Sequence, residues 1–146
     1  MWYELTAQTL LSRVAGPEAA RLDSAALASG QSDVLDEIAG QVAGEWRGGL
    51  RRVTLCDSRA GYVPDELTVH ILADFRYRAY TRLPGMGELL DEQRIAEWRR
   101  ANQVRDALHK VSISPPDDDY AEDSDQSGRA GPAMADPEAN RYLEEY

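Results

Sequence analysis

Cysteine occurs once in this chain, at position 56, and histidine twice, at positions 70 and 109. A lone cysteine permits neither an internal disulfide nor a cluster of thiolate metal ligands. No histidine lies near Cys56 in sequence, so it is expected to be a half-buried loop thiol rather than a nucleophile. His70 and Asp74 are four residues apart on an expected helix, the spacing that puts two ligands on one face. A single such pair on an exposed arc is read more plainly as a solvated or ring-stacked histidine. The sequence also has no glycine-rich phosphate loop, serine elbow or paired-carboxylate signature. No catalytic residue, metal or cofactor is therefore expected. No apolar run approaches the roughly 20 residues that span a bilayer, so no membrane is expected as a partner. The N-terminus lacks a basic stretch followed by an apolar one and does not read as a secretory signal, which points to synthesis and action in the cytosol.

Basic charge is scarce in one region above all. Residues 115–146 carry 10 acidic and 2 basic side chains, against 16 and 14 in residues 1–114. The chain thus divides into a nearly neutral body, residues 1–114, and an acidic arm, residues 115–146. A net charge of −10 opposes a grip on nucleic acid, which needs a basic stripe to displace counterions. The arm opens with Pro115 and Pro116, then Asp117, Asp118 and Asp119, and continues polar through Gly131. Such a stretch cannot bury enough apolar surface to offset its ordering entropy, and it reads as an extended spacer. Its end differs. Asp136 as N-cap, Pro137 at the first helical position and Ala139, Tyr142, Leu143 and Tyr146 at helical spacing predict a short helix over 137–146. A helix of that length is marginal alone and calls for a receptor groove or for its own body.

The body predicts an all-α fold, a small helical bundle with a projecting loop. Thr6 caps a short helix over 7–14, which Gly16 and Pro17 break. A helical turn over 18–22 and a connector over 23–30 follow. Ser32 caps a stronger helix in which Val34, Leu35, Ile38, Ala39, Val42 and Trp46 fall within about 140° of the helical wheel. Gly48 and Gly49 are expected to end it. Residues 50–62 lack helical period and read as a loop or hairpin reaching out of the bundle, with Leu55, Tyr62 and Val63 offered to a neighbour. Pro64 suits the first turn of a helix over 64–82 that carries two apolar stripes. Leu67, Ile71, Leu72, Phe75 and Ala79 make one; Val69, Ala73, Tyr77 and Tyr80 make the other. Such a helix needs two partners, so it is either central to the bundle or packed on a neighbouring subunit. A last helix over 88–111 buries Leu90, Ala101, Val104, Leu108 and Val111 and spreads Arg94, Arg99, Arg100 and Arg105 around the rest. Those arginines solvate the helix or receive the acidic arm.

In their order these features resemble the head-tail connector, or adaptor, proteins of long-tailed double-stranded-DNA phages, in particular those of the Mu-like prophage group. The likeness rests on Val34-Leu35-Asp36-Glu37-Ile38-Ala39, on Val63-Pro64-Asp65-Glu66-Leu67, on Ala73-Asp74-Phe75-Arg76-Tyr77-Arg78-Ala79-Tyr80 and on the final amphipathic helix. It covers about residues 5–114. Trp46-Arg47-Gly48-Gly49 departs from the Gly-Tyr-Leu usual there, and the acidic arm extends beyond it. The resemblance implies a helical structural subunit without enzymatic activity, one of about twelve copies in a closed ring under the portal vertex. Its implied partners are the portal protein and a neck or tail-completion protein. Its implied place is the virion neck, reached from the host cytoplasm, with genomic DNA passing through without specific binding. On this reading Tyr142, Leu143, Tyr146 and Arg141, with Asp117, Asp118 and Asp119, contact the portal or an adjoining ring. Val69, Tyr77, Tyr80, Leu55 and Tyr62 form the contact between subunits. The rival expectation is a cytosolic acidic regulatory or decoy protein that occupies a basic partner surface.

Overall fold

Thr6 begins the helical part of the chain. In the computed structural model, which describes residues 1–30 and 33–122, the Thr6 hydroxyl accepts from the Thr9 N–H at 3.1 Å. The Thr9 hydroxyl accepts in turn from the Thr6 N–H at 2.8 Å. This reciprocal cap satisfies donors that a helix start otherwise leaves open, and it launches α1 (Ala7–Leu11). Proline near the start of α2 (Gly16–Ala28) gives up only an N–H that would lack a helical partner there. The helix does not stop at Leu22. Leu22, Ala25 and Ala26 supply a buried edge at i, i+3 and i+4, and alanine-rich sequence carries it through residues expected to form a connector. Gly30, at a φ of 76°, then turns the chain.

α3 (Val34–Leu50) buries the face its periodicity predicts and runs on through Gly48 and Gly49. Fully buried Leu50 draws the last turn inward. A Cβ at Gly49 would lie 3.1 Å from the Leu108 side chain, so glycine here permits close approach rather than ending the helix. A 3-10 turn, Asp65–Leu67, leads into α4 (Thr68–Arg82). The expected start at residue 88 is another 3-10 turn, Gly87–Leu89. α5 (Glu92–Asp106) starts where the Asp91 carboxylate accepts from the Arg94 N–H at 2.9 Å, and a 3-10 turn, Leu108–Lys110, follows it.

Both α3 and α5 pack on α4. Leu67, Ile71, Phe75 and Ala79 are buried, and so are Leu72, Ala73 and Tyr80. The helix with two apolar stripes is thus the central one. The fold is mainly helical, with two short antiparallel ribbons: β1 (Trp2–Glu4) pairs with β3 (Tyr62–Pro64), and β2 (Cys56–Asp57) with β4 (Ala121–Glu122). Trp2 is buried, and its indole N–H donates to the Ser114 carbonyl at 2.8 Å, tying the start of the body to its end.

The loop after α3 does not project. Arg47, only 5% exposed, donates through one guanidinium nitrogen to the Tyr62 carbonyl and through the other to the Asp57 carbonyl, both at 2.8 Å. That strap folds residues 56–63 back on the bundle and buries Cys56, Asp57 and Val63. Cys56, expected to be half-buried, is fully so. Leu55 and Tyr62 keep partial exposure.

Candidate functional site

The arm does not leave the body at Ser114. Pro116 is buried, and Asp118–Tyr120 form a 3-10 turn that leads into β4. The Ser58 N–H donates to the Tyr120 carbonyl at 2.6 Å. One side chain organises this junction. The Arg59 guanidinium lies 3.9 Å from the Tyr62 ring centroid and 3.7 Å from that of Tyr120. It also donates to the Asp57 carboxylate through Nε at 2.9 Å and through a terminal nitrogen at 2.7 Å. Only a planar, forked cation can pair bidentately with a carboxylate while its faces stack on two rings. Asp57 is fully buried, and the Arg59 hydrogen bonds outweigh that burial to hold its carboxyl below the usual aspartate range. The junction is neutral inside and anchored. Beyond it the chain departs from a fixed point at Glu122, with Asp117, Asp118 and Asp119 exposed beside it.

Of the residues expected to bind partners, this junction brings together Tyr62 and the three aspartates. It adds Arg59 and Tyr120, which sequence reasoning missed. The available signal was an Asp-Ser-Arg turn three residues before a tyrosine, but its partner, Tyr120, lies inside an aspartate-rich run. Arg141, Tyr142, Leu143 and Tyr146 fall outside the described residues.

The expected subunit face of α4 is mostly taken by the chain itself. Tyr80 is 2% exposed and belongs to the core, so its assignment to a contact between subunits is corrected: α5 provides, within one chain, the second partner that the second stripe requires. Tyr77 is half-buried, stacked on Trp98 of α5 with centroids 3.8 Å apart and planes 7° from parallel. Val69 alone of that stripe stands open, at 75% exposure.

His70 and Asp74 do not act together. The buried Asp74 carboxylate accepts from the Trp46 indole N–H at 3.1 Å, from Arg78 Nε at 3.0 Å and from Arg105 at 3.4 Å. Glu45 accepts from the same two arginines, at 2.8 and 3.2 Å, which joins α3, α4 and α5. Burial, with the charge of Arg100, lowers the affinity of His70 for its proton, so the ring is neutral at pH 7. Among the described residues no group of three His, Cys, Asp or Glu side chains could hold a metal ion, and no helix is long and apolar enough to cross a membrane. Compared with models of protein families, with curated proteins and with solved structures, the chain matches none.

Proposed function

We propose that this chain is the subunit of a head-tail connector ring in a long-tailed double-stranded-DNA phage, seated in the virion neck between the portal protein and a neck or tail-completion protein. The order of motifs along residues 5–114 supports this reading, and the anchored arm carries it furthest. A component that must capture a partner needs a rigid body and a tether launched from a defined point. Arg59, stacked between Tyr62 and Tyr120, fixes that point on this chain. Asp117, Asp118 and Asp119 lie exposed beside that point, where they add to the arm's negative charge and repel the phosphates of a passing genome. Tyr142, Leu143 and Tyr146, with Arg141, supply the lasting contact with the portal, while the acidic spacer speeds the encounter. Val69, Leu55 and the open parts of Tyr62 and Tyr77 form the contact between subunits in a ring of about twelve. No chemical step has a part in this reading.

The test is the mass of the purified full chain by native mass spectrometry, alone and after incubation with portal-bearing heads. Large closed rings, or saturable attachment to those heads, are expected. A chain that stays monomeric, ignores portal-bearing heads and instead forms a stable complex with a basic protein would replace this reading with the decoy one.

A further inference from the structure

A groove of about 410 Å³ lies between α4 and α5 beside Arg13. Val69, Leu72 and Ala73 give it apolar surface, and His70, neutral at pH 7, adds no charge. Its two other acid-base neighbours are already engaged: Arg76 donates to Glu18 at 3.0 Å, and Glu97 accepts from Arg94 at 3.1 Å. Arg13 and Arg100 are not. Arg13 rests 5.0 Å from the Tyr3 ring centroid, and neither arginine has a carboxylate partner among the described residues. In a chain of net charge −10, this is an apolar trough with two uncommitted positive charges on its rim.

The occupant that fits is in the same chain. Residues 137–146 combine Tyr142, Leu143 and Tyr146 with Glu138, Glu144 and Glu145 against the single Arg141, so the segment is apolar on one side and net negative, complementary to the trough and its rim. Fourteen residues, 123–136, separate them from the last described position. A stretch of that length reaches up to about 50 Å when extended. The body has a radius of gyration of only about 14 Å at its size, so the tether is longer than the body is wide and gives the segment access to most of its surface. A tether this short also presents the segment at an effective concentration on the order of millimolar, ahead of any separate partner. We infer that the groove between α4 and α5 is the docking site of the chain's own residues 137–146, with Tyr142 and Leu143 against Val69, Leu72 and Ala73 and the glutamates facing Arg13 and Arg100. The inference stands apart from the connector reading; if both hold, a portal must draw the segment off this groove.

Spin labels on the full chain at Ala96→Cys and Asn140→Cys test it. Ala96 is exposed on α5 one turn before Arg100, and buried Cys56 is protected from labelling. Pulsed dipolar spectroscopy, with the doubly labelled chain diluted in excess unlabelled chain, should give one narrow, short distance. Reversing the rim charges in the Arg13→Glu, Arg100→Glu double variant should convert it to the broad distribution of a free tether, and Val69→Asp should do the same. All three residues lie outside the core, and unchanged circular dichroism would show that the fold is kept. A broad distribution in the parent chain would overturn the inference. So would a narrow one that survives both sets of changes, or one that appears only without dilution, which would assign the contact to a second copy.

Discussion

Replacing Asp74 by alanine should cost about 3 kcal/mol of stability, a magnitude that follows from what its carboxylate holds. The Trp46 indole, fully buried, would lose the Asp74 acceptor, and a buried donor left unpaired costs about 1–3 kcal/mol. Removing one partner of a fully buried ion pair costs about 3–5 kcal/mol. That full penalty does not apply, because the Arg78 and Arg105 side chains are 24% and 23% exposed and both keep Glu45. The two contributions overlap in one cavity and combine near the lower figure. Asp74→Asn keeps the shape and an oxygen for the indole N–H while losing the charge, so about 1–2 kcal/mol is expected. Urea unfolding followed by tryptophan fluorescence reads both. With m near 1–3 kcal/mol/M, the alanine midpoint should fall by roughly 1–3 M at unchanged slope. A loss below about 1 kcal/mol for alanine would refute the reasoning, and equal losses for the two variants would show that the Trp46 hydrogen bond adds nothing. His70→Ala should leave the midpoint nearly unchanged, which a working His70–Asp74 pair would not predict.

Phe75→Ala should cost about 3–5 kcal/mol in the same assay. Tyr80→Ala should also destabilise the monomer, whereas Val69→Ser should stay within about 0.5 kcal/mol of the parent. Glu66 gives a pH signature: burial raises its pKa, but hydrogen bonds from Ser114, including the backbone N–H at 2.8 Å, bring it down to about 2. A folded pKa below the unfolded value of 4.5 adds stability above pH 4.5 that is lost as pH falls toward 2, so Glu66→Gln should flatten the acid limb of thermal stability in that window. Truncation after Glu122 should lower the melting temperature only by what the docking of residues 137–146 contributes. Truncation after Ser114 should lower it, because it strips Tyr120 and β4 from Arg59 and the ribbon edge, and equal melting temperatures would count against the anchored junction.

The three long helices are legible because their periods are local and repeat over several turns. Trp2–Glu4 is too short to show a period, and its fastening to Ser114 spans 112 positions of sequence. The two stripes of α4 show that the helix needs two partners but not which chain supplies them, and Tyr80 was misplaced for that reason. Gly48 and Gly49 read as a stop because glycine weakens helices; the close approach of Leu108, which makes glycine useful at 49, is a tertiary fact. The arm's composition is visible residue by residue, yet its first eight residues dock. A single tyrosine in an aspartate run finds an arginine that already has a buried carboxylate to hold.

That arrangement bears on how an acidic chain keeps its body folded. Most carboxylates between the helices are committed to arginine: Glu18 to Arg76, Glu37 to Arg82, Glu45 and Asp74 to Arg78 and Arg105, Glu88 to Arg21. Pairs exposed to water contribute little stability, but each cancels local charge and leaves the body nearly neutral. Of the net charge of −10, residues 115–146 hold −8, while Arg13, Arg99 and Arg100 on the body have no carboxylate partner among the described residues. Concentrating the net charge in the arm gives it a direction that a uniformly acidic surface would not. Under the docking inferred above it is drawn to the α4–α5 side of its own body, and its net negative charge repels phosphate. Its Arg59 anchor keeps the launch point the same whichever partner it meets.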